Sequence, residues 1–163
     1  MEVVQFLLQN RRWDPTCLRC NIASPDQIEL CKKTKRARLD SNVCSGTTTD
    51  KLLRVALEAI SPEWWGDETR VVVNRNVQCA KHRDSNEGHS WILFLGDFTG
   101  GALVFETGDR VTERRIWHRI HGQIPHWNEP HEGTKYSVII FRTAPRPSKH
   151  DLILARGNRA SVE

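Results

Sequence analysis

The sequence predicts a mainly β chain with helices at its N-terminal end, an α+β fold whose β body suits a jelly roll of cupin type. Three observations carry this. From Arg70 onward short β-rich runs follow in close succession, "RVVVNRNV", "SWILFLG", "ALVFE", "RRIWHRI" and "KYSVIIF". Glycines or Gly-Asp pairs separate most of them, at Gly88, Gly96-Asp97, Gly100-Gly101, Gly108-Asp109, Gly122 and Gly133. Before Arg70 the pattern is helical instead. Many short strands with turn signals at this spacing indicate a sandwich or barrel, and a jelly roll leaves a cavity open at one end between its two sheets.

The elements follow in chain order. "EVVQFLL" fits either a strand or a helical turn. "SPDQIELCKK" reads as a helix start, with Ser24 at the cap, Pro25 first inside and Gln27 closing a capping box. Asp50 caps a further helix, whose Leu52, Leu53, Val55, Ala56, Leu57, Ala59 and Ile60 form a broad apolar face, and Pro62 ends it. "HDLILARGN" adds a last strand candidate. The expected organisation is one domain: an N-terminal support region over 1–66, a β core over 70–143 and a C-terminal extension over 144–163.

The chain has 163 residues, enough to bury a core without disulfides. No apolar stretch reaches the length of a membrane span. "MEVVQFLLQNRRW" lacks the basic start and small-residue cleavage site of a secretory signal, so an intracellular protein, cytoplasmic or nuclear and with no membrane partner, is expected. A net charge of +4 permits an acidic partner without demanding one. Five cysteines, an odd number, suit reduced thiols. Cys17, Cys20, Cys31 and Cys44 do not have finger or ribbon spacing, which favours free thiols over a zinc site. The basic run over 32–38, "KKTKRAR", reads as a solvated helix end, with a nuclear signal or nucleic-acid patch as the alternative. The six tryptophans, Trp13, Trp64, Trp65, Trp91, Trp117 and Trp127, read mostly as core.

The chemistry concentrates in "CAKHRDSNEGHSW", Cys79 to Trp91. His82 and Asp84 are two apart, and residues i and i+2 of an extended chain point to one side, so an imidazole and a carboxylate can reach one ion. A third ligand must come from elsewhere, and His121, His126 and His131 cluster in "HGQIPHWNEPHEGTKYS". Two neutral imidazoles and one carboxylate form a facial triad with adjacent open positions, the arrangement that oxygen activation at iron(II) needs. An H-x-D pair alone is a short motif that arises by chance. Here a β run leads into it and a Gly-Gly strand, "GGALVF", follows. His89 reads as a solvated loop residue and His118 as surface or core. Cys79 is a strand residue that can also line a pocket.

The order His82-x-Asp84, His126, Lys135-x-Ser137 resembles the signature of the Fe(II)/2-oxoglutarate-dependent dioxygenases. "HWNEPHEGTKYSVIIF" and "GGALVF" are similar to the prolyl-hydroxylase-like branch, and "VVVNRN" to the strand before H-x-D in the alkylation-repair demethylases. The likeness spans about residues 70–142. It implies a double-stranded β-helix in which His82, Asp84 and His126 hold iron(II). His126 rather than His121 or His131 gives the register to Lys135 and Ser137. Lys135 then pairs with the distal carboxylate of 2-oxoglutarate, Ser137 donates to the same group, and Asn74 and Asn76, on one face of their strand, orient the keto acid. Trp127, beside His126, becomes a pocket wall. Two departures are a short gap between Asp84 and His126, and Lys135 where many members carry arginine, which alone makes a bidentate fork.

The implied activity is hydroxylation or oxidative demethylation coupled to conversion of 2-oxoglutarate to succinate, with O2 as co-substrate. The substrate is either a protein or peptide side chain or a nucleic-acid base. The alternatives are a non-catalytic metal-binding jelly roll acting as a sensor or binding module, and a zinc hydrolase on the same triad.

Overall fold

The computed structural model describes residues 1–11, 13, 27–31, 48–66 and 68–143. Among these residues two helices, α1 (Glu2–Asn10) and α2 (Thr48–Ile60), accompany eight strands: β1 (Gln27–Cys31), β2 (Thr69–Arg75), β3 (Glu87–Gly100), β4 (Leu103–Phe105), β5 (Arg110–Val111), β6 (Trp117–Ile120), β7 (His126–Asn128) and β8 (His131–Arg142). All pairings are antiparallel, and the fold is mainly β. The larger sheet has the order β1-β2-β8-β3-β6 and the smaller β5-β4-β7. The extended segment 79–84 continues the smaller sheet beyond β7 through an antiparallel bridge between His82 and His126. No helix among the described residues is long and apolar enough to cross a membrane.

Strand alternation divides the larger sheet into two unlike faces. Val71 and Val73 of β2, Leu93 and Leu95 of β3, and Tyr136, Val138 and Ile140 of β8 form one face. They pack with Val4 and Leu8 of α1, Leu53 and Leu57 of α2, and Trp65. The other face contributes Ile92, Phe94, Phe98 and Ile120, which pack against Leu103 and Phe105 of the smaller sheet. The helices therefore close one side of the larger sheet. The other side faces the smaller sheet and the chemistry.

Several expectations change. The segment containing Gln27 is a strand, not a helix: β1 pairs residue for residue with β2 from Gln27↔Asn74 to Cys31↔Arg70, and that ladder outweighs a local cap signal. Ser24 and Pro25 lie outside the described residues. Helix α2 begins at Thr48, so Asp50 sits inside its first turn. Its apolar face is narrower than expected, with Leu53 and Leu57 buried while Leu52 and Val55 stand 53% and 56% exposed. "EVVQFLL" is helical, in α1. Of "RRIWHRI", only Trp117–Ile120 is strand, and Arg115 before it adopts a positive φ of 65°. Among the tryptophans, Trp13 and Trp65 are buried and Trp64 is exposed. The run 32–38, Cys17, Cys20, Cys44 and "HDLILARGN" lie outside the described residues.

Candidate metal centre

His82, Asp84 and His126 come together. One ligand atom from each lies within 4.8 Å of the others. Asp84 Oδ1 is 3.6 Å from His82 Nε2, and Asp84 Oδ2 is 3.8 Å from His126 Nε2. The imidazole centroids are 4.4 Å apart. His82 and Asp84, two residues apart, bring their ligand atoms to one place. His126 meets them because β7 runs beside that segment. His82 N donates to His126 O and His126 N to His82 O, both at 2.9 Å. Asn128 N donates to Cys79 O at 3.1 Å and Asp84 N to Gly122 O at 2.8 Å. The three side chains therefore hang from one short backbone ladder.

The ring nitrogens are prepared for an ion. His82 Nδ1 lies 2.7 Å from Ala80 O, and His126 Nδ1 lies 2.7 Å from Ile124 O. A carbonyl only accepts, so each Nδ1 carries the proton and each Nε2 of a neutral ring presents a bare lone pair. Such carbonyl partners fix the tautomer and ring orientation of metal-binding histidines. Asn86 Nδ2 donates to Asp84 Oδ2 at 3.3 Å, holding the carboxylate from the other side. Two imidazole nitrogens and one carboxylate oxygen suit a first-row divalent ion with open positions. No other group of three or more metal-capable side chains forms among the described residues.

Gly122 was not singled out as a site residue, yet it makes room for the carboxylate. A Cβ there would lie 2.7 Å from Asp84 Oδ2 and 3.1 Å from Asp84 Cβ. In the sequence this glycine reads only as a turn signal. Its contact lies 38 residues away, by difference of residue numbers.

Around the triad lies a cavity of about 440 Å³. Asn74 and Ser137, register partners across β2 and β8, both line it, as does the half-buried Cys79, which forms no disulfide. Lys135 faces the same side of β8 as Ser137. It is 2% exposed, and its Nζ donates to Gly101 O and lies 4.5 Å from the Phe94 ring centroid and 5.6 Å from that of Phe98. Burial pulls its ammonium down to about 8 from the usual 10.5. Gly101, with φ of 68°, turns the chain beneath it, where a Cβ would stand 3.1 Å from Lys135 Nζ.

Asn76 does not share a strand face with Asn74. Strand β2 ends at Arg75, and Asn76 turns away with a φ of 54°. Its Oδ1 accepts from Lys135 N at 2.8 Å and its own N donates to Lys135 O at 2.8 Å, so it anchors the Lys135 backbone. Trp127 is not among the residues lining the cavity. Alternation along β7 turns it opposite to His126 and Asn128, and Lys81 Nζ lies 5.6 Å from its ring centroid. The other candidate histidines sit apart from the triad. His131 lies against Phe98, where burial and then the Lys135 charge lower its pKa. His121 is exposed. His118 Nε2 is 3.1 Å from Glu113 O, and His89 Nε2 is 3.5 Å from Glu63 Oε2.

No family model and no curated protein matches the chain. Among solved structures, it is similar to protein NMB1881 from Neisseria meningitidis, at 16% identity and a TM-score of 0.39, over 55% of this chain and 95% of that one.

Proposed function

We propose that this protein is an Fe(II)- and 2-oxoglutarate-dependent oxygenase on a double-stranded β-helix. The observation that carries the reading is one cavity lined by a His-Asp-His triad from the smaller-sheet side and by Asn74 and Ser137 from the larger sheet, with the buried Lys135 two residues from Ser137 on the same strand face. The jelly-roll topology is supported by the path of the chain. It passes from β2 in the larger sheet to 79–84 in the smaller, then to β3, to β4 and β5, to β6, to β7 and back to β8. Each crossing changes sheet, as two interleaved Greek keys require.

His82 Nε2, His126 Nε2 and Asp84 would hold the iron, which when bound supplies activation of O2. The protein's own share is binding and orientation. Lys135 offers a buried cation to the far carboxylate of the keto acid; its Nζ donates to the neutral Gly101 carbonyl, so a carboxylate would relieve a buried charge that this neutral acceptor does not balance. Ser137 would donate its hydroxyl and Asn74 its amide to the same ligand. The overall reaction converts 2-oxoglutarate and O2 to succinate and carbon dioxide while one oxygen atom enters the substrate. Lys135 favours this reading over a zinc hydrolase, which has no need of a buried cation on the wall facing the metal. Oxygen-dependent succinate release with added iron(II) tests it. Full hydrolytic activity with zinc and without the keto acid would select the hydrolase. Metal binding with neither keto-acid binding nor turnover would select the sensor.

A further inference from the structure

The larger-sheet wall changes character along its length. Register partners form rows across the sheet, and successive rows are about 6.6 Å apart, two residues of strand. Asn74, Ser137 and Phe94 make one row, next to Lys135. Val72, Ile139 and Ile92 make the next, farther from Lys135. Phe141 lies beyond them on β8. Beside these rows Ile120 of β6 also lines the cavity. A cationic and amide-bearing end thus gives way to a mainly apolar ledge, bordered by Thr143 and by Arg70, the register partner of Phe141.

Val72, Ile92 and Ile120 are buried, but two residues set the outer part of the ledge apart from ordinary core. Phe141 is only half-buried and belongs to neither hydrophobic cluster, although it is aromatic and lines the cavity. Ile139 is likewise only partly buried, at the margin of the second cluster. The surrounding charge is also informative. Among the described residues Arg83 is the one arginine lining the cavity. Arg142, next after Phe141, belongs to the opposite strand face and lies 3.5 Å from Glu63. Arg70, the register partner of Phe141, shares the strand face of Val72, so Arg70 and Arg83 are the arginines at this end, few for a phosphodiester chain.

We infer that the cavity holds a second subsite, formed by Val72, Ile92, Ile120, Ile139 and Phe141, that takes an uncharged apolar group of the primary substrate. This rests on the oxygenase reading for the role of the triad. It favours an apolar side chain or a free apolar molecule over a nucleic-acid base. Apolar burial there is worth about tenfold in affinity for each well-packed pair of methylene groups.

The test loads the protein with manganese(II) in the presence of 2-oxoglutarate and measures proton relaxation of added probes. Water relaxation first reports whether the triad holds the ion. The probes are N-acetyl-leucinamide and N-acetyl-phenylalaninamide for a peptide source, 3-methylbutanol for a free apolar molecule, N-acetyl-aspartamide, and hexathymidylate. Enhanced relaxation of an apolar probe, lost in Phe141→Ser and kept in Phe141→Leu, supports the inference, and the stronger of the two apolar classes identifies the source. Water relaxation by manganese must be unchanged in both variants, which shows that the site is folded. Manganese binding without enhancement of any apolar probe, or with enhancement of hexathymidylate instead, overturns the subsite and leaves the metal centre standing. Failure of manganese to bind overturns the metal centre and the subsite with it.

Discussion

Replacing Gly122 by alanine should damage the metal centre without touching a ligand. The new Cβ would stand 2.7 Å from Asp84 Oδ2 and 3.3 Å from Asp84 Cγ. Ordinary van der Waals contact begins at 3.4 Å, so the carboxylate oxygen must retreat by roughly 0.7 Å, the difference between 3.4 and 2.7 Å. The backbone cannot give instead, because Gly122 O accepts the Asp84 N–H at 2.8 Å and Gly122 is itself buried. Ligand geometry is held to within about 0.5 Å in a working site, so the displacement exceeds the tolerance. Disturbing the groups that orient a ligand lowers metal affinity by about 10- to 100-fold, or about 1.4 to 2.7 kcal/mol. Titration calorimetry with manganese(II) measures this directly, and circular dichroism checks the fold. A folded Gly122→Ala protein that binds the ion as tightly as the parent would refute the close approach of Gly122 and Asp84, and with it the proposed shape of the triad.

Further predictions concern the remaining parts of the site. Asp84→Ala and His126→Ala should each abolish iron binding, while His121→Ala and His131→Ala should leave it intact; the reverse for His131 would show the register to be wrong. Lys135→Met should stabilise the protein at pH 7 by about 2 kcal/mol, a burial penalty of about 3 kcal/mol less about 1 for the lost hydrogen bond, while sharply weakening 2-oxoglutarate binding. The pH dependence has a definite sign. The folded pKa of Lys135, about 8, lies below its ordinary 10.5, so between these values the unfolded chain binds more protons and stability rises with pH. Urea titrations should show that rise in the parent and its absence in Lys135→Met. Affinity for 2-oxoglutarate should fall about tenfold per pH unit above about 8, as the ammonium loses its proton. Trp127→Ala should leave metal and keto-acid affinity unchanged, because the ring lies against Lys81 outside the cavity.

Much of the β body was legible because its strands obey local rules. "RVVVNR" and "KYSVIIF" alternate between faces, and glycines mark the turns between runs. His82 and Asp84 were legible as a pair because extended spacing alone sets their common direction. Their meeting with His126 was not derivable from spacing; it depends on β7 lying beside 79–84. Strand β1 was missed because its pairing with β2 is non-local, whereas Ser24, Pro25 and Gln27 imitate a helix start locally. Asn76 was misplaced because a two-residue period continues on paper past Arg75, where the chain turns. Trp127 was misassigned because adjacency to His126 in sequence means opposition across a strand. Gly122 was invisible as a site residue, since its only signal is the absence of an atom beside Asp84.

The most direct test of the central claim is succinate formation from 2-oxoglutarate by the iron(II)-loaded protein, with and without oxygen, for the parent and for Asp84→Ala. The account predicts oxygen-dependent succinate from the parent, strengthened by a substrate bearing an apolar group, and none from Asp84→Ala. An iron-loaded parent that neither binds 2-oxoglutarate nor releases succinate with any peptide, apolar or oligonucleotide substrate would contradict it.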